Sequence, residues 1–88
     1  MEQYVDVSRL DPPEPMEVIL DKLGELDEGD YLKVHHSRNP VPLFRILRDL
    51  SYESVMRSPS PGHFEILIWA KGQPPPPGVV SHSVGADG

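Results

Sequence analysis

The chain has 88 residues, a net charge of −6 and no cysteine. That length makes one small domain with a modest core. The acidic balance argues against nucleic acid as the main partner, and the lack of cysteine excludes disulfides, thiolate metal sites and thiol catalysis within the chain.

The residues Tyr4-Val5-Asp6-Val7-Ser8 alternate, with Val5 and Val7 on one side, and predict a half-buried first strand. The turn Arg9–Pro13 leads into a first helix over about Pro15–Leu26. Met16, Ile19, Leu20, Leu23 and Leu26 form a single apolar stripe along it. Glu14 and Glu17 suit the positive end of its dipole. Asp27-Glu28-Gly29-Asp30 is a polar turn. Tyr31–His36 alternates again and predicts a second strand with Leu32 and Val34 inward. A second proline-marked helix start follows, with Ser37 or Asn39 as its N-cap. That helix runs to about Leu50, with Leu43, Ile46, Leu47 and Leu50 on one face. Tyr52–Arg57 predicts a third strand, Ser58–Gly62 a hairpin loop, and His63–Ala70 a fourth and strongest strand.

This order predicts an α+β two-layer open sandwich, strand-helix-strand-helix-strand-strand. The mixed four-stranded sheet has strands one to three parallel, the fourth antiparallel beside strand two, and both helices on one face. The domain is expected over residues 1–71. Residues 72–88, with Gln73-Pro74-Pro75-Pro76-Pro77-Gly78 at their start, read as a disordered Pro/Gly-rich tail. No apolar run approaches membrane-spanning length, and Met1-Glu2-Gln3-Tyr4 lacks a signal-peptide pattern, so a cytoplasmic protein is expected.

Both helix starts follow the carboxyl ends of parallel strands and therefore share one edge of the sheet. Open sheets with parallel strands usually bind ligands along that edge. Unpaired N–H groups and the dipole make each helix start a natural anion site. The edge is expected to gather Arg9, Asp11, Glu14, His35, His36, Arg38, Asn39, Arg57 and His63. His35 and His36 are adjacent in a strand, point to opposite faces, and so cannot share one metal ion without a bulge. No helical His-x-x-x-His pattern and no Gly-x-Ser-x-Gly elbow exists.

The stretch Val5–Pro15 resembles the opening of the TusA/SirA sulfur-carrier superfamily, whose Cys-Pro-x-Pro motif sits at this strand-to-helix joint. Pro13-Glu14-Pro15 matches its Pro-x-Pro part, while Pro12 stands where the sulfur-accepting cysteine would be. A cysteine there would carry a persulfide at the helix start; proline cannot. The sequence is more similar to the cysteine-free relatives, the domain of unknown function 2249 family. The likeness lies in Asp6–Pro15, in Pro40-Val41-Pro42-Leu43 and in the hairpin from Tyr52 to Lys71. What the resemblance implies is a TusA-like fold in a bacterial accessory domain, with no established activity.

The leading functional expectation is a non-enzymatic module that binds a small anion or an acidic segment of a partner protein at the helix-start edge. Arg9, Arg38 and Arg57 would supply charge. His36 and His63 would supply hydrogen bonds, together with the N–H groups near Pro13–Met16, and Asn39 belongs to the same ligand-binding set. Asp11 and Glu14 oppose an anion from the same edge. The alternative is a residual enzyme or metal protein using His36, His63 and Glu14. No motif calls for a cofactor. On the helix-free face, alternation places Tyr4, Asp6, Tyr31, Lys33, Leu67 and Trp69. Either Tyr31, Leu67 and Trp69 dock a partner or a second copy in a weak homodimer, or the start of the tail covers Trp69.

Overall fold

The computed structural model describes residues 1–79. Strand β1 (Glu2–Asp6) is followed by helix α1 (Glu14–Gly24), strand β2 (Tyr31–His36) and helix α2 (Val41–Asp49). Strands β3 (Tyr52–Ser60) and β4 (His63–Ala70) complete the fold. The sheet order is β1-β2-β4-β3. β1 and β2 are parallel, and β4 runs antiparallel to both β2 and β3. The expected element order, strand directions and β2–β4 pairing are therefore observed.

Alternation dictates which residues are inside. Leu32 pairs with Ile68 and Val34 with Ile66 across the two central strands. These four join Val7, Ile19, Leu23, Leu43 and Leu47 in one buried cluster. Both helices thus cover the same face of the sheet. The opposite face carries Tyr4, Asp6, Tyr31, Lys33, His35, Glu65, Leu67 and Trp69, as the pairing register requires. No helix among the described residues is long and apolar enough to cross a membrane.

Several boundaries differ from the sequence reading, each for a local reason. β1 ends at Asp6 because the Ser8 N–H and hydroxyl both donate to Asp6 Oδ1, at 2.9 and 2.6 Å, which turns the chain. α1 stops at Gly24, where the Glu25 N–H donates to the Lys22 carbonyl at 3.0 Å and the Leu26 N–H to the Leu23 carbonyl at 3.2 Å. Leu26 lies beyond the helix yet still packs on the core. At the start of α2, neither Ser37 nor Asn39 caps with its side chain. Pro40 is the N-cap, and the Val41 N–H donates to the Asn39 backbone carbonyl at 2.9 Å. β3 continues through Pro59 to Ser60, so the hairpin loop shrinks to Pro61-Gly62. Pro59 is tolerated because β3 is an edge strand with an irregularity between Arg57 and Ser60. Gly62, at φ +77°, follows Pro61 as a type II turn requires.

The helix-free face is not an open apolar patch. Leu67 is 3% exposed and Trp69 9%. Tyr31 is half-buried, and its hydroxyl donates to Glu2 Oε1 at 3.0 Å. Glu65 lies between Lys33 Nζ at 3.2 Å and Arg57 Nη2 at 2.6 Å. Burial works to raise the Glu65 carboxyl, but hydrogen bonds from Lys33 and Arg57 outweigh it and hold it below the usual range. Past β4 the chain continues through residues 72–79. There the Gln73 N–H turns back to the Ala70 carbonyl, and Pro76 is buried. The rest of the stretch read from sequence as a tail, residues 80–88, lies outside the described residues.

Candidate functional site

The starts of α1 and α2 converge on a cleft of about 310 Å³. Pro12, Pro13 and Pro15 form one wall, and Pro40 and Pro42 the other. Met16, Ile19 and Leu43 make the apolar floor, and the polar groups present are His36, Arg38 and Asn39. The pairing of Pro-x-Pro starts on parallel strands is what builds it. Prolines are tolerated at a helix start because their missing N–H has no helical partner there anyway. Two such starts side by side give rigid apolar walls with few backbone donors.

The donors that remain can be counted. Pro13 and Pro15 have none. The Glu14 N–H donates to the Asp11 carbonyl at 2.9 Å, and the Glu17 N–H to the Pro13 carbonyl at 3.3 Å. Among the described residues, the Met16 N–H has no acceptor. Of the N–H groups expected near Pro13–Met16, this one is left for a ligand.

His36 is the buried polar side chain of the cleft, 5% exposed at the end of β2. Its Nδ1 accepts the Arg38 N–H at 3.1 Å. A neutral imidazole that accepts at Nδ1 carries its proton on Nε2. Nε2 has no partner among the described residues, and no fully enclosed side-chain nitrogen is left unsatisfied there. The Nε2–H therefore faces the cleft. Burial pushes the His36 pKa down, and the charge on Arg38 adds to this, then that of His35.

This has a pH consequence. Unfolding frees the ring to its ordinary pKa of 6.5, so the unfolded chain takes up a proton that the folded chain resists. The His36 contribution to stability is complete above pH 6.5 and is lost as the pH falls below it, until the folded ring also protonates. Urea unfolding from about pH 8 to pH 5 should show this loss in the wild type and a smaller one in His36→Gln. Equal slopes would contradict it.

The other sequence candidates fall in different places. Arg38 and Asn39 line the cleft with His36. Arg9, Asp11 and Glu14 are exposed and do not line it, so the carboxylates expected to oppose an anion stand outside. Arg57 is committed to Glu65 on the other face. His63 is tied to His35: His35 Nε2 and His63 Nδ1 are 3.2 Å apart. The two rings are parallel within 1° with centroids 5.4 Å apart. That spacing is the N–N distance plus about one ring width, so the rings lie end to end as an in-line hydrogen bond requires, not face to face. His35 Nδ1 lies 3.3 Å from Asp6 Oδ1, which extends the chain to a third group. Hydrogen bonds from the Ser8 hydroxyl and N–H, and then the His35 charge, hold Asp6 below the usual carboxylate range.

His36 and His63 are thus on different sides of the sheet, and the set His36, His63 and Glu14 is not assembled. Among the described residues, no group of three or more His, Cys, Asp or Glu is placed to hold a metal. The Asp6–His35–His63 chain is the feature that sequence reasoning missed. Its first half depends on the β1–β2 register that sets Asp6 opposite His35, which the sequence does not display.

The architecture and site define a small α/β sandwich with a proline-walled cleft at two helix starts and no cysteine at the joint. The chain belongs to the family described as "Uncharacterized conserved protein (DUF2249)", whose model matches residues 4–70. No curated protein and no solved structure matches it.

Proposed function

We propose that this chain is a non-enzymatic binding module of TusA/SirA-like fold that holds a small anionic group in the cleft between its two helix starts. The observation that carries this reading is the buried His36 with its Nε2–H free and facing the cleft. That donor is reachable from the cleft, so a ligand or a water can accept from it there. The free Met16 N–H, the two helix dipoles and the Arg38 guanidinium all favour negative charge at the same place. Sulfur transfer is not part of this function, since Pro12 stands where the sulfur-accepting cysteine would be.

NMR titration of amide signals with phosphate, thiosulfate and acetate tests the reading. Perturbations should group on residues 12–16 and 36–43. Shifts scattered over the surface would overturn it.

A further inference from the structure

Resting on the anion reading, we infer that the cleft takes a monocarboxylate with an apolar body, not an inorganic anion. The groups that meet at the cleft are chemically lopsided. The residues able to donate are few: His36 through Nε2–H, with Met16, Arg38 and Asn39 beside it in the lining. They can satisfy the two oxygens of one carboxylate. No acidic side chain lines the cleft. Everything else presented to a ligand is hydrocarbon, chiefly proline rings. A sulfate or phosphate ion would have to leave some of its oxygens against that wall, stripped of water and without donors, which is unfavourable. A carboxylate carried on a ring or branched alkyl group places each part against a matching surface.

The size agrees. An apolar cavity of about 150 Å³ holds benzene, and this cleft is about twice that. It therefore accommodates one ring together with a short acid arm. The walls also lower the cost of binding. Proline side chains have little rotamer freedom to lose, so the apolar part of the site is preformed.

Separate amide NMR titrations of the 88-residue chain with phenylacetate, phenylacetamide, acetate and sulfate read this directly. Phenylacetate should shift Met16, His36, Arg38 and Leu43 saturably. Its affinity should exceed that of each of the other three probes by about tenfold or more, the scale of a charged hydrogen bond or of one buried ring. Arg38→Met should weaken phenylacetate by about tenfold; Arg38 is exposed, so this variant is expected to fold. His36→Phe should do the same while keeping the cleft apolar.

Acetate or sulfate binding as tightly as phenylacetate, with the same grouped shifts, would overturn this inference and leave the anion reading standing. Phenylacetamide binding as tightly as phenylacetate, or no grouped shift with any probe, would overturn both. A short peptide ending in phenylalanine, with a free C-terminal carboxylate, separates the sources of the ligand. Affinity more than tenfold above phenylacetate would replace the small-molecule occupant with a partner's C-terminus.

Discussion

Ile66→Ala is expected to lower the unfolding free energy by about 2–5 kcal/mol. Ile66 is fully buried on β4, opposite Val34 of β2 and Met56 of β3. It sits where the two central strands meet both helices, so the space left by the side chain cannot close by moving a loop. A domain of this kind is stable by about 5–15 kcal/mol, so the loss is a large part of the total. Urea unfolding followed by circular dichroism measures it. The control is Val41→Ala at the exposed start of α2, which should change stability by no more than about 0.5 kcal/mol. Equal effects of the two substitutions would contradict the placement of the core.

Trp69→Ala is the second large effect, about 3–5 kcal/mol of lost stability. Sequence alternation alone puts this residue on the helix-free face near a strand end, where truncation would leave the fold intact and only weaken an association. The structure changes that expectation, because Trp69 and Leu67 are already covered within the single chain. Residues 72–79 follow β4 and are the expected cover. A chain shortened to end at Lys71 should show red-shifted indole emission, since Trp69 is the single tryptophan and therefore an unambiguous reporter. An unchanged spectrum would mean that residues 72–79 do not cover it. Full stability of Trp69→Ala would mean that the indole is not packed at all.

The contrast between these two residues shows how much was legible beforehand. Ile66 could be placed because period-two alternation carries its own geometry: once Leu32, Val34, Ile66 and Ile68 share a face, their strands must be neighbours under the helices. The separation of His35 from His36 follows from the same rule, but Arg57 and His63 were still gathered with His36 at one edge. Trp69 was assigned the right face but the wrong exposure. A polyproline run has no amphipathic period, so nothing in Gln73–Gly78 signals which surface it will lie on.

The cleft was half legible. The paired Pro-x-Pro helix starts and the shared edge predicted where it would be. Its donor pattern was not, because that depends on which N–H groups are consumed locally. The Glu14 N–H goes to Asp11, and Nδ1 of His36 is filled by the Arg38 N–H; both are loop geometries without a sequence signature. Arg57 and His63 were grouped with the site because their hairpin ends at the same edge. Cross-strand pairing with Glu65 and an in-line bond to His35 take them to the other face.

The tautomer of His36 decides whether the cleft holds a side-chain donor. Long-range proton–nitrogen NMR of the imidazole at about pH 7.5 distinguishes a ring nitrogen that bears hydrogen from one that accepts. The expected result is a neutral His36 with its proton on Nε2, and an Nε2 signal that moves when phenylacetate is added while Nδ1 stays bonded to the Arg38 N–H. A proton on Nδ1, or an Nε2 signal unchanged at saturating ligand, would contradict it.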